Sequence, residues 1–325
     1  MPTSDSKPLP QEDLQAIVDA VGWEPLRGAR ILLTGGTGFL GSWLVESFIL
    51  ANRQHDLKAT MLTVSRKSGY YDDPTVTHSK ANICSPRQAG LGAFTHCIHA
   101  ACPSCAVPPV SDLEMFDTIV TGTRNVLNGC ADTGAKRILY ISSGAAEHRT
   151  ETVYGGAKKA AEMLCGIYAE EYGLEIPIAR PYALVGPGLP LDGHFAIGKF
   201  IHDALAGGPV RVLGGTNVFR SYLYASDVAT WLWTILLKGE SCVPVDVGSR
   251  VAINIRRLAE TVAHTLGVAV EAHPPRLDMP GFKNIIIHEG NVPVDTYLPV
   301  VDIGFRQTVS LKDAILRTAN FAHLS

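Results

Sequence analysis

The sequence predicts an α/β protein: a doubly wound, mostly parallel sheet followed by a smaller C-terminal domain. Three observations carry this. Ala29–Thr34 is a short apolar run of strand type that passes at once into Gly35-Gly36-Thr37-Gly38-Phe39-Leu40-Gly41 and then into an apolar helical stretch reaching about Ala51. Strand-like and helix-like segments continue to alternate, the pattern of a parallel sheet covered on both faces. After Pro181 the texture changes, as Pro187, Gly188, Pro190, Gly193, Gly207, Gly208 and Pro209 break the chain into short elements.

Taken in order, residues 1–28 read as a helical leader, with Leu14, Ile17, Val18 and Val21 at helical spacing over 11–21. Residues 29–181 read as a nucleotide-binding domain. Its strands fall at 29–34, 59–64, 94–99, 136–141 and 176–180, and its further helices at 112–133 and 154–172. Residues 182–325 read mainly as a smaller, irregular domain, with 222–237 and 243–247 as segments that return to the main sheet. Trp231 and Trp233 stand two apart and so cannot share one helix face. One is expected in the core and the other at a surface or interface.

Composition fits this picture and narrows the function. The chain has 325 residues, 46% apolar and 18% charged, which suits about two globular domains and excludes disorder. A net charge of −3 gives no reason to expect a nucleic-acid partner. No apolar run approaches the roughly 18 residues of a membrane helix, and the N-terminus lacks a basic-then-apolar signal pattern. A soluble cytoplasmic protein without a membrane partner is the expectation. Seven scattered cysteines do not make a disulfide framework. Cys102-Pro-Ser-Cys105 has the spacing of a redox pair or half a zinc site. No second pair of either kind accompanies it, so no metal is expected.

The glycines at 35, 38 and 41 open the first strand–helix unit. There the first permits a tight turn, the second admits a pyrophosphate close to backbone, and the third lets helix and strand pack closely. A helix N-terminus at this point offers N–H groups and a positive dipole end to phosphates. A dinucleotide is the expected cofactor. An acidic residue after the second strand would indicate NAD, but the chain reads Val64-Ser65-Arg66-Lys67 and has no carboxylate before Asp72. A small hydroxyl followed by two cations leans toward the 2′-phosphate of NADP. The alternative has Arg66 stacking on adenine, which serves NAD or NADP equally.

Ser142 and Ser143 follow the strand at 136–141, at the sheet edge where ligands bind in such folds. Tyr154 and Lys158 are one helical turn apart and share a face. A tyrosine with its usual pKa of about 10 is a poor base, but a lysine ammonium one turn away favours the phenolate. Such a phenol can exchange a proton with a substrate hydroxyl while a serine orients the same oxygen.

At this point the chain resembles the extended short-chain dehydrogenases/reductases, the NAD-dependent epimerase/dehydratase group. The resemblance runs through Thr34–Gly41, His99-Ala100-Ala101, Gly122-Thr-Arg-Asn-Val-Leu127, the trio Ser143, Tyr154 and Lys158, Arg180-Pro181, Gly186-Pro-Gly188 and Phe219–Ala229. It implies a Rossmann-type sheet and a small-molecule substrate, most often a nucleotide-activated sugar. It implies catalytic roles for Ser143, Tyr154 and Lys158. Cofactor contacts would come from Gly35, Thr37, Gly38, Phe39, Leu40 and Gly41 in the loop, and from Ser65 and Arg66 after the second strand. Asn82, Ile83, His99, Ala100, Ala101 and Pro181 would complete them, together with Tyr154 and Lys158. Substrate contacts would come from Ser143, Ala183, His194, Lys199 and Arg220, the arginine holding a pyrophosphate. A homodimer formed through paired helices that include 154–172 is also implied.

Departures from the family pattern narrow the chemistry. Where 4,6-dehydratases carry an Asp-Glu pair, and nucleotide-sugar decarboxylases a Glu, this chain has Gly144 and Ala145. Glu147, His148 and Glu151 lie nearby, as substitute acids or as a solvated polar loop. Ser143 and Tyr154 are only eleven positions apart, a shortened loop that would open the site on that side. Asn82 and Ala183 stand where an aspartate and an asparagine are common. The simplest fit is epimerase-type oxidation and re-reduction of a sugar hydroxyl through a transient ketone. The alternatives are a dehydratase relative with replaced acids, an NADPH-dependent ketone reductase, and a catalytically degenerate sensor or scaffold.

Overall fold

The computed structural model describes residues 7–69, 71–85, 93–103, 110–135, 137–193, 195–213, 218–272, 295–299 and 304–323. In chain order its elements are α1 (Gln11–Ala20), β1 (Arg30–Thr34), α2 (Phe39–Gln54), β2 (Thr60–Ser65), β3 (Val76–Lys80), β4 (His96–His99) and α3 (Asp112–Thr133). There follow β5 (Arg137–Ile141), α4 (Ala145–His148), α5 (Val153–Tyr172), β6 (Ile178–Pro181), β7 (Ala183–Val185), α6 (Ala196–Leu205), β8 (Val210–Val212) and β9 (Val218–Tyr224). The last are α7 (Ala225–Lys238), β10 (Pro244–Val247), β11 (Ala252–Asn254), α8 (Ile255–Leu266), β12 (Val270–Ala272), β13 (Asp295–Tyr297) and α9 (Leu311–His323). No helix among the described residues is long and apolar enough to cross a membrane.

The chain forms two compact units: Met1–Pro181 with Ala225–Val247 and Val301–Arg306, and Tyr182–Tyr224 with Gly248–Val300 and Gln307–Ser325. The larger unit is the doubly wound sheet the sequence predicts. Its seven strands run β10-β6-β5-β4-β1-β2-β3, and every neighbouring pair is parallel. The order reverses between β1 and β4, which opens a crevice at their C-terminal ends. In such sheets that crevice is where ligands bind. Ile31, Leu32 and Leu33 of β1 are all buried, as expected of a central strand covered on both faces.

Helix ends follow their local chemistry. Ser111 caps α3 by accepting the Glu114 N–H, and Gly134 ends it in the left-handed region at φ 76°. The observed span matches the sequence reading of 112–133. The strand β3 was not foreseen. It lies at the sheet edge, and Thr77, His78, Ser79 and Lys80 give it no apolar alternation to detect. The leader folds into the larger unit: Ile17, Trp23 and Leu26 are fully buried.

Both Trp231 and Trp233 are buried, which corrects the expectation that one would reach a surface. Helix α7 is covered on two sides within the larger unit. Trp233 packs edge-on against Trp23 with ring centroids 4.9 Å apart and donates to Ser47 Oγ at 2.9 Å. Trp231 lies 4.8 Å from the Phe305 ring. Aromatic pairs of this kind add about 0.5–1.5 kcal/mol beyond area burial.

In the smaller unit β9 is the hub. Its first half lies between β11 and β13, and its second half pairs in parallel with β7. Helices α6, α8 and α9 bury Ile197, Phe200, Ile201, Leu258, Val262 and Ile315. The segment 222–237, read as one returning piece, divides. Tyr222–Tyr224 belongs to the smaller unit and the following helix to the larger. Strand β10 is an edge of the main sheet.

Candidate active site

The glycine loop leaves β1 with Gly35 at φ 79°, a conformation that favours glycine, and its N–H donates to the Val64 carbonyl at 2.7 Å. A side chain at Gly35 would meet the backbone of Ala100 and Ala101 at 2.9 Å, and one at Gly41 would meet the Gly35 oxygen at 2.2 Å. Gly38 caps α2 without any side-chain bond, and Phe39 and Leu40 form the half-buried first turn. The result is a cradle of bare backbone at a sixteen-residue helix's N-terminus. It fits the pyrophosphate of a dinucleotide.

Beneath this loop the Tyr71 hydroxyl donates to the Gly36 carbonyl at 2.7 Å, and burial pushes its pKa up to about 12. Glu46 adds to that shift and is itself largely buried, its carboxylate accepting the Leu9 N–H at 2.8 Å. Burial raises Glu46 to about 7. A carboxyl whose folded pKa lies above its unfolded value disfavours the fold once ionised, so stability is lost as pH rises from the unfolded pKa toward 7. Glu46→Gln is therefore expected to stabilise the protein. The gain should grow by about 1–2 kcal/mol between pH 5.5 and 8. Urea unfolding at the two pH values measures it, and an equal effect at both would show that Glu46 carries no shifted proton.

At the β1/β4 crevice His99 is fully enclosed. The Thr123 hydroxyl donates to the Ile119 carbonyl and so accepts from His99 Nε2 at 3.0 Å. That leaves Nδ1 to accept from the Thr34 hydroxyl at 2.6 Å, and Thr34 Oγ1 in turn accepts the Ala101 N–H at 3.2 Å. Burial, reinforced by the Lys158 ammonium, pushes His99 down to about 3, so the ring stays neutral. Both its nitrogens are engaged. The chain Ala101–Thr34–His99–Thr123 holds the ends of β1 and β4 and the body of α3 in register, with Ala100 and Ala101 as the half-buried crevice wall.

After β2, Thr37 of the loop donates to Ser65 Oγ at 2.9 Å, and Ser65 donates to the Lys67 carbonyl at 2.9 Å. Arg66 reaches out to Glu114 in the first turn of α3, Nη1 to Oε1 2.7 Å. Asn82 is exposed, its side-chain oxygen accepting the Cys84 N–H at 3.0 Å, and Ile83 lies against Gly122 of α3.

Lys158 and Tyr154 project from the first turns of α5. Thr152 caps that helix by accepting the Gly155 N–H at 3.0 Å. A side chain at Gly155 would meet the Arg149 oxygen at 2.0 Å, so the loop from α4 presses directly on the helix. Lys158 is 3% exposed. Its Nζ donates to the Ile141 carbonyl at 2.8 Å and lies 5.3 Å above the Tyr140 ring and 6.0 Å from the Tyr154 ring. Burial pushes the Tyr140 phenol well above its usual range, so that ring stays protonated, and the ammonium stands near the half-buried Tyr154 as the charge that would favour a phenolate there. Ser143 is buried just past β5, its hydroxyl accepting the Ala145 N–H at 3.2 Å. Pro181 ends β6 beside it, its carbonyl accepting the Gly144 N–H at 3.0 Å.

One feature escaped the sequence reading. Arg180 Nε and Nη2 grip Glu162 at 2.8 and 2.7 Å, and Nη1 reaches Glu147 at 2.8 Å. Ser142 donates to the same Glu162 at 2.6 Å. Glu147 is exposed, like His148 and Glu151, but its carboxylate is held by Arg180, so it is neither a free acid nor a merely solvated loop residue. The signal was present, since Tyr154, Lys158 and Glu162 recur every four residues on one helix face.

In the smaller unit Ala183 pairs with Tyr222 across β7 and β9, Lys199 is exposed on α6, and Arg220 on β9 is half-buried, its Nη1 donating to the Phe219 carbonyl at 2.7 Å. His194 and Cys105 lie outside the described residues.

Comparison with known proteins agrees with this geometry. The sequence model of the NAD dependent epimerase/dehydratase family matches residues 31–248. UDP-glucuronic acid decarboxylase 6 of Arabidopsis thaliana is 26% identical over 308 residues, covering 85% of this chain and 89% of the relative. The crystal structure of UDP-glucose 4-epimerase from Thermotoga maritima superposes with a TM-score of 0.74 at 22% identity, covering 91% of this chain and 99% of that one. The dTDP-glucose 4,6-dehydratase DesIV of Streptomyces venezuelae, crystallised with NAD bound, gives 0.74 at 20% identity over 91% and 97%. The two structures share the fold, and the family match covers the glycine cradle, Ser143 and the helix of Tyr154 and Lys158: the chain belongs to the NAD-dependent epimerase/dehydratase family, whose relatives here are nucleotide-sugar enzymes.

Proposed function

We propose that this protein oxidises a hydroxyl of a nucleotide-activated sugar to a transient ketone and then re-reduces it, an epimerase-type cycle. The observation that carries the choice is the fate of the carboxylates near Ser143. Gly144 and Ala145 supply none, and Glu147 and Glu162 are both bound to Arg180. Among the described residues, elimination of water would have only the exposed His148 and Glu151 to draw on there, whereas oxidation and return need only the phenol, its lysine and a serine.

When bound, the nicotinamide cofactor supplies the acceptance and return of hydride. The loop Gly35–Gly41 and the α2 N-terminus would hold its pyrophosphate, with Ser65 and Arg66 toward its adenosine end. Tyr154 takes the proton of the sugar hydroxyl and later gives it back. Lys158 stabilises the phenolate, and Ser143 orients the reacting oxygen. Arg220 would take the pyrophosphate of the sugar nucleotide, for which a forked guanidinium is suited. Ala183, His194 and Lys199 remain proposed substrate contacts.

The cofactor reading favours NAD. The lean of Ser65-Arg66-Lys67 toward NADP is weakened because Arg66 already faces a carboxylate. Identification by mass spectrometry of the nucleotide released on denaturing the purified protein tests the cycle. Retained NAD together with interconversion of nucleotide-sugar epimers is the expected result. An empty protein that consumes NADPH with a ketone substrate would replace this reading with a reductase.

The chain is further proposed to pair with a second copy through α3 and α5. Leu113 and Phe116 on α3 and Met163 and Ile167 on α5 are exposed, Met163 at 65%. Light scattering should give twice the chain mass, and Met163→Glu should halve it; a monomeric wild-type protein would remove the proposal.

A further inference from the structure

We infer that Glu114 is a specificity-determining residue for the dinucleotide, acting as the carboxylate that the end of β2 lacks. This rests on the reading that a dinucleotide lies along the glycine loop. In this fold class the residues just after the second strand face the adenosine ribose. An acid there suits a free 2′-hydroxyl, and an arginine suits a 2′-phosphate. By sequence alone the chain presents only Ser65, Arg66 and Lys67. The folded chain brings a carboxylate to the same place from 48 residues away, Glu114 Oε1 lying 2.7 Å from Arg66 Nη1.

The position of this pair is fixed from both sides. The turn that carries Arg66 is tied to the glycine loop by the Thr37–Ser65 bond, and its Lys67 carbonyl accepts from both Ser65 Oγ and His78 Nε2. Glu114 is set by the capped first turn of α3, where Ser111 holds its N–H. The two side chains are 47% and 46% exposed, so the pair contributes little to folding. Its charge counts when an anion approaches. A 2′-phosphate on Arg66 would bring about two negative charges against the Glu114 carboxylate and would have to displace it from the guanidinium. A ribose hydroxyl meets no such opposition. At contact distances in water this separates the two nucleotides by roughly 10–30-fold.

Binding rather than turnover tests the assignment. The protein, stripped of nucleotide, is titrated with NADH and with NADPH by isothermal calorimetry. The wild type should prefer NADH. In Glu114→Gln the affinity for NADPH should rise about 10–30-fold while that for NADH stays nearly constant. Adding Arg66→Ala to that variant should cancel the gain. If Glu114→Gln moves both affinities equally or neither, Glu114 does not discriminate and the assignment falls while the dinucleotide site stands. A wild type that binds neither nucleotide overturns the dinucleotide reading and this inference with it.

Discussion

Tyr154→Phe is expected to lower kcat by about 10²–10⁴-fold, the range of a positioned acid–base group, while dinucleotide binding is largely retained. The substitution removes one oxygen and leaves the ring that packs at the edge of the core beneath α3 and α5. Lys158 keeps its bond to the Ile141 carbonyl, since its ammonium does not depend on the phenol for a hydrogen-bond partner. The loss should therefore fall on the chemical step, with kcat and kcat/KM reduced together. Single-turnover measurement of hydride transfer in the purified protein separates this from slow product release. Activity within about tenfold of wild type would mean that another group carries the proton, and the proposed cycle would have to be rebuilt around it.

How much of this was readable beforehand depended on the range of the interactions. The glycine cradle is a local event, with strand, turn and helix adjacent in sequence, and the backbone clashes at Gly35 and Gly41 supply the reason for glycine there. The ends of α3 were legible for the same reason, because Ser111 and Gly134 act within one turn. Three features were not. An edge strand such as β3 needs only backbone partners and leaves no pattern in its side chains. The second buried tryptophan of α7 depends on a segment some seventy residues later, where Phe305 covers Trp231. The charges of Arg66 and Arg180 read as ligand contacts or family markers until the fold supplied Glu114 and Glu162 as partners. Charge pairing across such distances in sequence leaves no trace in any single window of it.

That second pairing sets the other large expectation. Glu162→Gln should destabilise the protein by about 3 kcal/mol, the lower end of the range for a broken buried pair, because it removes the buried partner of Arg180 and leaves the guanidinium only the half-exposed Glu147. Arg180 is 8% and Glu162 also 8% exposed, so water cannot take the carboxylate's place. Either way round, the glutamine amide would also turn its N–H₂ group toward an Arg180 donor. Replacing both partners, as Glu162→Leu with Arg180→Met, should recover most of the lost stability, since apolar groups of similar volume carry no desolvation cost. Activity should not recover with it. Ser142 loses the acceptor for its hydroxyl, and Glu147 loses the guanidinium that ties α4 to β6. Ser143 sits between those two anchors, so its hydroxyl would no longer be held at a fixed place. Urea unfolding of the single and double variants, read beside their turnover, distinguishes a pair that only stabilises from one that positions the serine. A double variant restored in both stability and kcat would reduce the pair to a structural contact. A single variant costing less than about 1 kcal/mol would show that the charges are solvated after all.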